Sequence, residues 1–85
     1  MTDKKLIEEY KKAFGENLKR IRKERSETVR TVDTNTKYDS SNYNKYELGK
    51  GNPTLTTLAQ LASGLGVSTK DLLDFDFDLS RFKNK

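Results

Sequence analysis

The stretch ELGKGNPTLTTLAQLASGLG, residues 47 to 66, constrains the fold more than any other part of the chain. Gly49 stands where a left-handed C-terminal helix cap is wanted, and Gly51 frees the loop that follows. Asn52-Pro53-Thr54 ends that loop, with Thr54 as the N-cap of a new helix. Leu55, Leu58, Ala59, Leu61, Ala62 and Leu65 give the new helix an apolar stripe, and Gly66 closes it. Upstream, Asp39 or Ser40 serves as N-cap for a helix running to about Leu48. On a helical wheel Tyr43 and Tyr46 point one way, whereas Ser40, Ser41, Asn44 and Lys45 point the other.

Before this pair lies Lys4 to Arg25, rich in helix formers and free of proline. Ile7, Tyr10, Phe14, Leu18 and Ile21 fall on one stripe, so the segment reads as one long helix or as two joined at Gly15. Gly15 costs about 1 kcal/mol relative to alanine inside a helix, which makes it the place for a bend. Ser26 to Asp39 is harder to read. Thr28 caps a weak helix with the seam Val29, Val32, Asp33 and Thr36, and an irregular or extended segment is the other reading. Beyond the glycine-closed helix, Ser68-Thr69-Lys70-Asp71 has the form of a capping box ahead of a short last helix at Leu72 and Leu73. DFDFDL then alternates, placing Phe75, Phe77 and Leu79 on one face if extended.

With 85 residues the chain makes one domain, near the lower limit for a core built from side chains alone. It has neither Cys nor His, which excludes disulfides, Cys/His zinc sites, thiol nucleophiles and imidazole bases. No metal site and no small-molecule cofactor is expected, and GKGNPT lacks the spacing of a phosphate-binding P-loop. No apolar run approaches the roughly 20 residues of a membrane span, and MTDKKLIEEYKK is too charged for a secretory signal, so no membrane partner and a cytoplasmic location are expected. The net charge of +4 is lopsided. Basic residues are frequent from Lys4 to Lys50, while Asp71, Asp74, Asp76 and Asp78 gather near the C-terminus, as suits a protein with one face toward a polyanion.

FGENLKRIRKER together with ELGKGNPTLTTLAQLASGLGVSTKDLL resembles the Cro/C1-type, or XRE-like, helix-turn-helix DNA-binding family, from about Phe14 to Phe75. The resemblance implies an all-α fold: a compact five-helix, lambda-repressor-like helix-turn-helix domain at 14–75. Around it lie an N-terminal helical extension at 1–13 and a short C-terminal tail at 76–85. It also implies an ion pair between Arg22 in the first helix and Glu47 at the end of the helix at 40–48. Two parallel hydrogen bonds from a guanidinium would tie those helices together.

The chain departs from the family at its second helix, which usually opens with Gln, carries Leu-Ala at its core and ends in Gly. Here Val29, Val32-Asp33 and Lys37 stand in those places. A buried carboxylate is tolerable if it accepts phenol hydrogen bonds, so Asp33 is expected to bond one of the tyrosines, Tyr38, Tyr43 or Tyr46.

The resemblance further implies a sequence-specific DNA-binding transcriptional regulator, a repressor by family habit, with no catalytic step. The helix at about 40–48 would enter the major groove and present Ser40, Ser41, Asn44 and Lys45 to base edges. Thr28, Arg30, Lys37, Lys50 and Asn52 would hold phosphates. Such modules commonly act as homodimers on inverted repeats. The candidate dimer surfaces are Leu55, Leu65 and Val67, and the tail residues Phe75, Phe77 and Leu79, which either add a strand to a twin or fold back over their own core. The alternative function is a protein-interaction or antitoxin-type module that keeps the frame with weakened DNA reading.

Overall fold

The computed structural model describes residues 2–25 and 40–82, with side chains over 3–25 and 43–82. The expected weak helix at 28–37, the Asp33–tyrosine bond and the phosphate candidates Thr28, Arg30 and Lys37 lie outside the described residues.

Helix α1 spans Thr2–Glu24, with Asp3 in its first turn and Arg22 and Lys23 in its last, each complementing the helix dipole. It runs through Gly15 without a break, so the segment is one long helix rather than two joined there. Helix α2 is Ser40–Glu47, α3 is Leu55–Leu65 and α4 is Thr69–Leu72, followed by a 3-10 turn at Leu79–Arg81. The described residues contain no strand.

The helix ends form where the local chemistry places them. The Thr54 hydroxyl accepts from the Thr57 amide at 3.1 Å, and Ser68 and Asp71 form a reciprocal capping box. At the other end of α3, Gly66 is left-handed at φ 74°, and the Val67 amide reaches back to the Ala62 carbonyl at 3.0 Å. That six-to-one bond satisfies a carbonyl that the helix leaves open.

Phe14, Leu18 and Ile21 of α1 meet Tyr43 of α2, Leu61, Ala62 and Leu65 of α3, and Leu72 of α4 in one core, with Tyr46, Leu58, Val67 and Phe75 packed against it. Leu65, expected at a dimer surface, is fully buried there. The stripe on α3 turns it inward with Leu61, so Leu65 itself has no surface left for a partner. At the outer end of α1 the buried residue is Leu6 rather than Ile7, which is 45% exposed.

A polar residue also sits in this core. Asn17 is 5% exposed, and its amide donates to the carbonyls of Asp71 at 3.0 Å and Leu72 at 2.9 Å, capping the end of α4. Its own oxygen accepts two bonds from the Arg20 guanidinium, so both sides of the amide are used.

The tail folds back over its own chain. Tyr10 packs against Phe75 in a tilted pair and against Phe77 edge to face, at centroid distances of 5.3 and 5.1 Å, and Phe77 lies 6.2 Å from Phe82. Arg81 bonds Glu9 at 3.0 Å and lies 5.7 Å from the Phe77 ring centre. Phe75 and Phe77 are thereby occupied within the protomer, and of the alternating triplet only Leu79 is exposed.

Candidate nucleic-acid interface

Helix α2 is only eight residues long, too short to be stable alone, so its position is set by what holds its inner side and C-terminal end. Three fastenings lie there. Tyr43 is fully buried and Tyr46 half-buried against the core. The Arg22 guanidinium donates to both oxygens of Glu47, through Nε and, at 3.0 Å, through a terminal nitrogen. The pair is largely shielded, with side-chain exposures of 12% and 6%.

The third fastening is a close approach of backbones. A Cβ on Gly15 would lie 2.5 Å from the carbonyl oxygens of both Tyr46 and Glu47, so the end of α2 rests directly on α1 at this residue. Beyond α2, Gly49 is left-handed at φ 80°, and a Cβ there would lie 2.7 Å from the Cα of Lys12. The Lys50 amide bonds the Lys45 carbonyl at 2.9 Å and the Gly49 amide bonds the Tyr46 carbonyl at 3.1 Å, a complete Schellman cap.

With one side of α2 so engaged, Asn44 and Lys45 face solvent, and Lys50 and Asn52 in the loop after it are exposed as well. The side chains of Ser40 and Ser41 lie outside the described residues. Arg20, Arg22 and Arg81 are spent on acids of the protein itself, whereas Lys45 and Lys50 form no ion pair among the described residues.

Burial first, and then the neighbouring Glu47 carboxylate, raises the Tyr43 phenol far above its ordinary value. The hydroxyl makes no hydrogen bond among the described residues, although it is close enough to Arg22 and Glu47 to feel both charges. A phenol whose folded-state pKa is raised stabilises the fold fully below its unfolded value of about 10, and that contribution is lost as pH climbs above it. Tyr43→Phe is therefore expected to leave stability at pH 7 unchanged within about 1 kcal/mol and to flatten its decline above pH 10, read from urea midpoints against pH. A loss beyond that at pH 7 would mean that the hydroxyl makes a hydrogen bond that supports the fold.

Gly15 and Lys12 were not singled out from the sequence as parts of this site. A signal existed, because Gly15 and Arg22 are seven apart and so share a face of α1. Among the described residues no helix is long and apolar enough to cross a membrane, and no cluster of His, Cys, Asp or Glu could hold a metal ion.

Comparison with known proteins agrees with this geometry. A family described as a helix-turn-helix domain matches residues 15–74. The SPbeta prophage-derived uncharacterized HTH-type transcriptional regulator YonR of Bacillus subtilis is 38% identical over 74 residues, 84% of this chain and 68% of that protein. The uncharacterized HTH-type transcriptional regulator y4dJ of Sinorhizobium fredii is 34% identical over 65 residues, 76% of this chain and 84% of that protein. Among solved structures, the restriction-modification controller protein C.AhdI of Aeromonas hydrophila superposes with a TM-score of 0.71, covering 73% of this chain and 94% of that one. Its 24% identity makes that a likeness of fold. With a family match over most of its length and relatives at 38% and 34% identity, the chain belongs to the helix-turn-helix domain family, in its Cro/C1 or XRE-like branch.

Proposed function

We propose that this helix-turn-helix DNA-binding transcriptional regulator reads the major groove with the outer side of α2 and acts as a repressor in the cytoplasm, without a catalytic step. The observation that carries the reading is the mounting of α2: anchored through Tyr43, Glu47 and the Gly15 contact, it leaves Asn44 and Lys45 exposed. Asn suits bidentate pairing with adenine, and Lys donates to guanine. Ser40 and Ser41 complete the base-facing set, and Thr28, Arg30, Lys37, Lys50 and Asn52 take the phosphates.

One module spans a half-site, so a homodimer on an inverted repeat is the assembly proposed. Leu55 at 80% exposure and Leu79 at 58% are the apolar side chains of the expected dimer set that still face solvent.

Selection from a pool of random duplexes tests the reading. It is expected to return a sequence with two related halves, and Asn44→Ala or Lys45→Ala should each relax choice at one position per half by about 1–3 kcal/mol. Failure of the protein to bind any duplex at low salt would remove the reading and favour a protein-interaction module.

A further inference from the structure

We infer that Lys12, with Lys11 beside it, carries the phosphate-contacting surface of this interface onto the outer half of α1, so that the N-terminal extension is part of the DNA-binding face. The inference rests on the proposed groove reading by α2 and adds residues that lie outside the helix-turn-helix match, which begins at residue 15.

The argument starts from Gly49. Its left-handed conformation brings the loop after α2 hard against α1, with only 2.7 Å between the place of an added Cβ and the Lys12 Cα. Lys12 therefore emerges next to the loop that carries Lys50 and Asn52, the two described residues assigned to phosphate. Lys11 lines a cleft of about 130 Å³ together with Asn52 and Pro53 of the same loop. A backbone phosphate seated at this loop would meet the α1 lysines from the side.

Charge bookkeeping points the same way. Glu8 and Glu16 stand one turn on either side of Lys12, yet Lys12 makes no ion pair with either. Glu9, two and three residues before Lys11 and Lys12, is engaged by Arg81 at 3.0 Å. Lys12 is exposed, so its ammonium is solvated and unclaimed among the described residues. Duplex DNA is a polyanion whose neutralised phosphates release counterions, which gives such a lysine a measurable signature.

The test is the salt dependence of binding to the selected duplex, for wild type, Lys12→Met, Lys12→Gln, Lys12→Arg and the Lys11→Gln/Lys12→Gln double variant. Lys12→Met keeps the aliphatic stem against Gly49, and a thermal melt of each variant verifies folding. Loss of one phosphate contact lowers the magnitude of the log K against log salt slope by about 0.9, so each tenfold rise in salt costs the variant about eightfold less affinity than wild type. The double variant is expected to lose about twice that slope, and Lys12→Arg to keep the wild-type slope. If wild type binds with a steep slope and the double variant keeps it, the inference is wrong while the α2 reading stands. If wild type binds no duplex, the α2 reading fails and takes the inference with it.

Discussion

Glu47→Ala is expected to lower the stability of the domain by about 3–5 kcal/mol, a large part of what a chain of this size possesses. The carboxylate is 6% exposed and both of its oxygens accept from Arg22, itself 12% exposed. Removing it leaves a guanidinium with little access to water and without its main counter-charge. An arginine stays protonated in proteins whatever its partner, so the cation cannot escape by losing its proton. Arg22→Ala should be comparable. Replacing both residues, as in Arg22→Met with Glu47→Leu, is expected to recover much of the loss, since an apolar pair of similar volume leaves no stranded charge. Urea unfolding of the four proteins checks this, and additive single losses in the double variant would show that the two side chains act independently.

Gly15→Ala is the second large effect, and its sign runs against helix propensity. Alanine inside an exposed helix would gain about 1 kcal/mol over glycine. Here its Cβ would come within 2.5 Å of two backbone carbonyl oxygens of α2, which cannot swing aside as a flexible side chain could. Overpacking of this kind costs about 1–3 kcal/mol or more, and for backbone against backbone the upper end applies. A net loss of about 2 kcal/mol corresponds to a melting point lower by roughly 8–16 °C. Because α2 must lift to admit the methyl group, DNA selection by the folded variant should loosen as well. A melting point equal to or above that of wild type would remove the argument.

Local punctuation was readable from the sequence because it depends on near neighbours. Thr54, Ser68, Gly49 and Gly66 each act within a turn of their own position, and the structure has them as caps. The inward direction of Tyr43 and Tyr46 was readable from spacing. Gly15 was not: a glycine in a helix signals either a bend or a close neighbour, and only the approach of α2 decides between them. The alternation of Phe75, Phe77 and Leu79 likewise announced a shared face without naming what it covers. Phe75 and Phe77 lie on Tyr10, while Leu79 begins a 3-10 turn and leaves that face. Asn17 carried no signal, since a polar residue within an apolar stripe looks like a solvated one until its partners on α4 are seen. Of the proposed base-facing set, Asn44 and Lys45 were placed outward by helical spacing alone.

The fastening of the tail to Tyr10 and Glu9 has a thermodynamic consequence for the outer half of α1. A charged helical arm that had to organise itself on meeting a polyanion would forfeit roughly 1–2 kcal/mol of backbone freedom per residue ordered. Here the aromatic splice and the Arg81 tie set that arm in place beforehand, like an outrigger lashed to its hull. Its lysines would then dock with almost nothing but their own side-chain rotations to surrender.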